Sequence, residues 1–336
     1  MKWNMDKAVT LNHVARLAGV SGVTVSRVLR GSGPISPATR ERVLDAVRRT
    51  GYVQNRVAGS LASARSNLVG VILPSLSNNV FPEVMAGINA ALAQSGFQPV
   101  VGVTDYDQAT EEALVLSMLA WKPAAMIVTG LDHSRNTVRM LDRAGIRVME
   151  IMQIGGRPID TAIGLSHRDA GLATARHLVK RGYRRFAYVG RDLSYDSRAT
   201  ERYRGLCEGL GQAGLSEPAA HFMLGPSSIR SGSTGLAALR ATNPHCDVVV
   251  FANDDMAVGG VFHCMGAGVA LKSTLGIFGF NGLDIGQALP MPLSTIRSNR
   301  QKIGQIAVQT FLDAMERPEA SKSIDTGFSI IDGETA

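Results

Sequence analysis

The chain has 336 residues, 45% of them hydrophobic and 19% charged, a balance that excludes an intrinsically disordered chain and allows two or three domains with ample core. No apolar run reaches the length of a membrane span, and the opening MKWNMDKAV lacks the apolar stretch of a signal peptide, so a cytoplasmic protein is expected. The net charge of +7 is unevenly spread: up to Arg65 there are 11 Lys+Arg against 3 Asp+Glu, and the remainder is close to neutral.

Thr10 to Gly31 reads TLNHVARLAGVSGVTVSRVLRG. Leu11, Val14, Ala15 and Ala18 share one face of a helix that Thr10 can cap. Gly19 supplies the positive φ of a sharp turn, and Ser21 caps a second helix from Gly22 to Leu29. Two short helices joined this way form a helix-turn-helix or an ordinary helical hairpin. The concentration of positive charge on this segment, where release of counterions from phosphates would use it, selects the DNA-binding reading. Ser36-Pro37 opens a third helix with a core face of Val43, Ala46 and Val47, closed by Gly51. Asn55 can cap a short helix from Arg56 to about Ser63, although so short a helix is unstable alone and the stretch also reads as a plain linker.

From Leu68 the texture changes to apolar strands alternating with amphipathic helices. The strands are LVGVILP, FQPVVGV, AAMIVTG and IRVMEI, then RFAYVG, a strand near Phe222, DVVVFA and LGIFGF. Helices are expected at about 80–95, 108–121, 135–144, 168–181, 196–213, 227–241 and 254–266. Such alternation implies βαβ units, hence parallel sheets covered by helices. Two series imply two lobes, with a ligand cleft outside the carboxyl ends of the strands.

Cys207, Cys246 and Cys264 are widely spaced and form no metal-ligand pattern, so reduced thiols are expected. The Gly-rich FGFNGLDIG lacks the spacing of a phosphate loop. No GxSxG, HExxH or paired-carboxylate motif is present, so neither catalysis nor a cofactor or metal is expected.

VARLAGVSGVTVSRVLRG, followed by ISPATRERVLDAVRRTGYVQNRVAGSLAS and then GYRRFAYVG, RYRGL, FANDDMAVGG and GIFGFNGLDIG, resembles the lactose-repressor family over nearly the whole chain. PSLSNNVFPEVMAGI, GIRVMEIM and GFNGLDIGQ are similar to its gluconate-operon repressors. The resemblance implies an N-terminal all-α helix-turn-helix domain (1–52), a hinge helix and linker (53–66), and an α/β two-lobed effector domain of the periplasmic-binding-protein type I kind with parallel sheets (67–336). It also implies a homodimer on double-stranded operator DNA. Without a leucine-heptad tail, assembly beyond a dimer is not expected.

Within the family pattern, Thr24, Ser26 and Arg27 match positions that contact bases or phosphates; Ser21 either caps its helix alone or bonds a phosphate as well, and Thr10, the cap of the first helix, is counted with the DNA-binding residues. Gly22 and Val23 stand where variable reading side chains usually sit, so Gly22 offers none and Val23 only apolar contact. Asn55, Arg56 and Ala58 belong to the hinge segment, and Leu61 matches the leucine wedged into the central minor groove. For the effector, the resemblance implies Arg202, with Arg198 one turn earlier, as an anion clamp. Asn281 replaces a common aspartate, which would favour an anionic polyol such as gluconate, a related sugar acid or its phosphate. Asn79 and Phe81 follow the first strand, and Glu150 ends another. Asn253 is either a helix cap or an effector contact beside Asp254. Arg300, and less firmly Arg297 and Ser298, belong either to the pocket or to the surface between lobes. The alternatives are a sugar-binding protein of the same two-lobed fold, or a regulator of opposite sign.

Overall fold

The computed structural model describes residues 9–53, 66–76, 79–316 and 322–336. The chain divides into two compact units, Met1–Ser66 and Asn67–Ala336.

In the first unit, α1 (Leu11–Ala18), α2 (Gly22–Arg30) and α3 (Pro37–Thr50) enclose a small core of Val14, Ala15, Ala18, Val25, Val28, Val43 and Ala46. Each helix is bounded as the sequence predicts. Thr10, Ser21 and Ser36 accept from the amide three residues on, and Gly19, Gly31 and Gly51 end the helices in left-handed conformation.

The second unit carries two six-stranded sheets. Lobe 1 contains β1 (Leu68–Leu73), α4 (Val80–Leu92), β2 (Gln98–Val103), α5 (Gln108–Ala120), β3 (Ala125–Thr129), α6 (Arg135–Arg143), β4 (Arg147–Ile151) and β5 (Thr161–Gly164). The chain then crosses into lobe 2: α7 (His167–Lys180), β6 (Phe186–Arg191), a single turn of 3₁₀ helix at Leu193–Tyr195, α8 (Ser197–Gln212), β7 (Ala219–Met223), α9 (Ile229–Thr242), β8 (Val248–Phe251), α10 (Asp254–Gly266), β9 (Gly276–Asn281), α11 (Asp284–Gln287) and β10 (Ser294–Ser298). It returns to lobe 1 for α12 (Arg300–Glu316) and β11 (Lys322–Asp325), and ends in lobe 2 with β12 (Phe328–Ile331). The strand orders are β11-β5-β4-β3-β1-β2 and β12-β10-β9-β8-β6-β7. All pairings are parallel except β10 with β12.

Strands β5, β10, β11 and β12 carry no strand signal that stood out in the sequence. They are four or five residues long, and β10 and β11 interleave polar residues with one isoleucine each. Helices α11 and α12 and the 3₁₀ turn were likewise not expected from the sequence, and the remaining elements fall within three residues of expectation. Neighbouring helices are joined by close approach at glycine. A Cβ at Gly205 of α8 would lie 2.0 Å from the Arg168 carbonyl oxygen of α7, and one at Gly87 of α4 would lie 2.1 Å from the Gln301 carbonyl oxygen of α12. Among the described residues no helix is long and apolar enough to cross a membrane.

Candidate DNA interface and ligand cleft

Helix α2 turns Val25 and Val28 into the core, which leaves Val23, 62% exposed, and the exposed Arg27 on its outward side, with Ser26 half-buried between them. Ser21 Oγ accepts from the Thr24 amide at 3.2 Å, and the two hydroxyls lie 2.9 Å apart. Ser21 therefore caps the helix while keeping a polar atom at its first turn. Thr10 does the same for α1, accepting from the His13 amide at 3.3 Å. At Gly22 a Cβ would come within 2.8 Å of Leu11 Cδ2, the flexible end of a side chain of α1, so a small side chain there needs only a shift of Leu11. Arg16, Arg30, Arg40 and Arg42 are also exposed on this unit, a surface suited to phosphates. Asn55, Arg56, Ala58 and Leu61 lie outside the described residues.

In the second unit, the carboxyl ends of β1, β2 and β3 face the start of α8 across a cavity of about 270 Å³. Lobe 1 contributes Thr104, Tyr106, Asp107, Gln108, Glu111 and Asp132, and lobe 2 contributes Ser194, Tyr195, Asp196, Ser197 and Arg198. Arg198 is buried. Its Nε donates to Asp196 at 2.9 Å, and the same carboxylate accepts the Arg198 amide at 3.1 Å. The neighbouring guanidinium groups of Arg198 and Arg202 hold the Asp196 carboxyl down at about 2 against the opposing effect of burial. With Nε engaged, the terminal nitrogens of Arg198 make no hydrogen bond to described residues and are the part left for a ligand.

The lobe-1 wall is acidic but partly neutralised. His133 places Nδ1 2.7 Å from Glu111 and Nε2 3.1 Å from the Gly130 carbonyl, two acceptors that only a doubly protonated ring can satisfy. Its pKa is raised accordingly, although burial opposes the charge. Behind it, Glu150 accepts from the Ile159 amide at 2.6 Å, and burial pushes its carboxyl up to about 7. Among the described residues no group of three metal-binding side chains is placed to hold an ion.

Residues 10–55 match the family model for bacterial regulatory proteins of the lacI family, and residues 66–328 match that for periplasmic binding proteins and the sugar binding domain of the LacI family. The chain belongs to the LacI family. It is 36% identical to the HTH-type transcriptional regulator GntR of Pseudomonas aeruginosa over 97% of this chain and 95% of that protein, and 33% identical to the GntR of Escherichia coli K12 over 97% and 98%. Its fold matches a LacI-family regulator from Silicibacter pomeroyi at a TM-score of 0.93 and 42% identity, covering 97% of this chain and 99% of that one. It also matches the lac repressor dimer bound to operator and the anti-inducer ONPF at 0.84 and 25%, covering 98% and 99%. The protein is thus a DNA-binding transcriptional regulator, not an enzyme, and the N-terminal match sets aside a pure sugar-capture role.

Of the family-implied effector residues, the structure brings Arg198 to the cavity wall. Arg202 lies deeper in lobe 2, stacked on Phe280 at 4.1 Å, donating to the Ala252 carbonyl at 3.2 Å and to His167 Nδ1 at 3.0 Å. His167 can accept there because its Nε2 donates to the Met152 carbonyl at 2.9 Å, and burial beside Arg202 pushes its pKa down to about 3, so the ring is neutral. Glu150 sits beneath the wall at 1% exposure, since its carboxylate serves Ile159 and faces His133. Asn253 takes the cap reading, its side chain accepting from the Met256 amide at 3.0 Å. Asp254 behind it is buried between Thr295 and the Leu283 amide.

Phe81 is a core residue of α4, and Asn79 stands exposed at that helix's start without a side-chain cap bond. Asn281 ends β9 with φ of 121°, and its carbonyl accepts from Arg300. Arg300 takes the interlobe reading. Buried at 3% exposure, it pairs with Glu83 of lobe 1 at 2.8 Å and donates to Asn281 and to Ser298 Oγ of lobe 2. Arg297 is exposed and flanks Gly282. The sequence reading missed Tyr106, Asp107, Gln108 and Asp132. The signal for them was positional, since they follow the ends of β2 and β3, where doubly wound sheets bind ligands.

Proposed function

We propose that this LacI-family regulator is a repressor that holds its operator as a homodimer and releases it when gluconate or a related sugar acid fills the cleft between its lobes. The carrying observation is the cleft's polarity. Arg198 offers the terminal nitrogens of its guanidinium from lobe 2, and lobe 1 offers carboxylate and amide acceptors suited to a chain of hydroxyls. The similarity to gluconate-operon repressors supports the same class. Effector binding shifts operator affinity only if one lobe arrangement binds it better, and a coupling of about 1–3 kcal/mol is typical. The dimer is supported by the lac repressor relative and by apolar side chains beside the edge strands, Val101 of β2 and Phe222 of β7, each 41% exposed.

The test is a titration of the full chain on an operator selected from a random-sequence pool, with gluconate, its 6-phosphate and neutral sugars as ligands. Loss of operator affinity with a sugar acid is expected. A gain in affinity would make the ligand a corepressor, and a response to neutral sugars alone would overturn the sugar-acid reading. On the same operator, Leu61→Ala is expected to lower specific affinity by about tenfold or more while leaving non-specific, salt-dependent binding near the wild-type value. An equal loss on both would remove the wedge role.

A further inference from the structure

One cation beside the cleft is not used by the reading above. Arg191 ends β6, and its guanidinium lies 3.8 Å from the ring centre of Tyr195 and 5.9 Å from that of Tyr106. Its Nε is buried and has no hydrogen-bond partner among the described residues. A buried guanidinium nitrogen without an acceptor is costly, and folded proteins keep few of them. Arg198 lies 6.0 Å from the same Tyr106 ring, so two guanidinium groups of lobe 2 flank one aromatic side chain of lobe 1.

The backbone that presents Tyr106 is unusual. Asp105 and Tyr106 follow β2 with φ of 51° and 65°, a conformation that residues other than glycine rarely hold and that clusters at ligand clamps. Tyr106 of lobe 1 thus lies near both arginines, and Tyr195 of lobe 2 lies against Arg191, both tyrosines lining the cavity.

We propose that Arg191 is the second arm of the anion clamp, and that Arg191 and Arg198 together receive the effector's carboxylate while its hydroxyl chain runs along the acceptors of lobe 1. Arginine suits this task because its planar donors can grip a carboxylate in pairs while its face stacks on an aromatic ring. The orientation favours a singly charged aldonate. A phosphate at the far end would meet Asp107 and Asp132, on a wall whose described cavity-lining residues include no lysine or arginine.

The proposal rests on the sugar-acid reading of the cleft, and calorimetric titration of the full chain separates the two. Gluconate, its 6-phosphate and neutral glucitol are titrated into wild type, Arg191→Gln, Arg191→Lys and Arg198→Gln. Wild type is expected to prefer gluconate to both other ligands by about tenfold or more. Arg191→Gln is expected to weaken gluconate by at least about tenfold while glucitol changes by less than about threefold, and Arg191→Lys to fall between because it keeps the charge without the fork. If Arg191→Gln binds gluconate like wild type while Arg198→Gln does not, the Arg191 assignment fails and the cleft reading survives. If wild type binds none of the sugar acids, the cleft reading itself fails. A wild-type preference for the 6-phosphate that Arg191→Gln abolishes would overturn the orientation. Should Arg191→Gln not fold, the gluconate-to-glucitol ratio of Arg191→Lys decides: a drop is expected, and a ratio equal to wild type rejects the second arm.

Discussion

The two lobes lay out their sheets in the same strand order, apart from the direction of the last strand, parallel in lobe 1 and antiparallel in lobe 2, and differ in what they place at the carboxyl edge. Matching the strand orders pairs β1 with β6, β2 with β7 and β4 with β9. In lobe 1 the segments that follow β2 and β3 carry acceptors, Asp107, Gln108 and Asp132, and Glu150 near the end of β4 is buried behind His133. In lobe 2 the edge carries Arg191 and, a few residues on, Arg198, while β9 ends in the uncharged Asn281. Shared topology therefore locates the cleft, whereas the loop residues give it two unlike walls, with acceptors on lobe 1 and guanidinium groups on lobe 2. The exchange between the lobes is most direct at Arg300, which joins Glu83 of one to the Asn281 carbonyl of the other.

The largest effect expected from separating the lobes lies in their helix packing. Gly205→Ala forces a Cβ onto the Arg168 carbonyl, a backbone atom that cannot swing aside, and should destabilise the domain by about 3 kcal/mol. The thermal midpoint would drop by roughly 5 to 10 °C. Because α8 also carries Arg198 and Arg202, effector affinity should fall with it. Gly87→Ala makes a comparable clash in lobe 1 but moves neither arginine, so its stability loss should come with a smaller loss of effector binding. Equal effector losses in the two variants would show that the lobes do not divide the work.

Next in size is the charge on the lobe-2 wall. Arg198→Gln should weaken a sugar acid by on the order of 100-fold, about 2.7 kcal/mol, and a neutral polyol far less. The same change removes the main partner of Asp196, whose carboxyl pKa should then climb from about 2 toward the ordinary range. Titration calorimetry reads the first effect and carboxyl NMR the second. A loss that is equal for charged and neutral ligands would mean that Arg198 only supports the fold.

The helix-turn-helix was legible because every helix end carries its own chemistry, Thr10, Ser21 and Ser36 at the starts and Gly19, Gly31 and Gly51 at the ends. The long apolar strands and the helices between them were legible by period. The short strands β5, β10, β11 and β12 were not, since their place comes from pairing with distant neighbours and not from local pattern. The cleft was half legible. Arg198 showed through its helical spacing to Arg202, but Tyr106, Asp107 and Asp132 come from loops whose only cue is where the strands before them end. Arg202 and Arg300 were found as cations, and their partners, His167 and Glu83, lie 35 and 217 residues away in sequence.

The smallest predicted effect concerns the buried acid of lobe 1 and appears only as a pH dependence. Glu150 is faced by His133, Asp160 and the Ile159 amide, and burial raises its carboxyl from 4.5 to about 7. Between those two values the folded chain keeps a proton that the unfolded chain has released. The stabilisation is therefore full below about 4.5 and is lost as pH rises through about 7, where the carboxylate must be charged inside the lobe. Glu150→Gln removes that titration while keeping a side chain of the same shape that can still accept from Ile159. The stability of wild type relative to Glu150→Gln should decline from pH 5 to pH 8, read by denaturant titration across that range. His133 adds a slope of the same sign above its ordinary value of 6.5, because its folded pKa is also raised. That slope remains in the variant through Glu111, so the Glu150 contribution is the difference between the two curves. Parallel curves would mean that Glu150 is already ionised in the fold, which would make the inner end of the lobe-1 wall negative at neutral pH and weaken the case for a negatively charged effector.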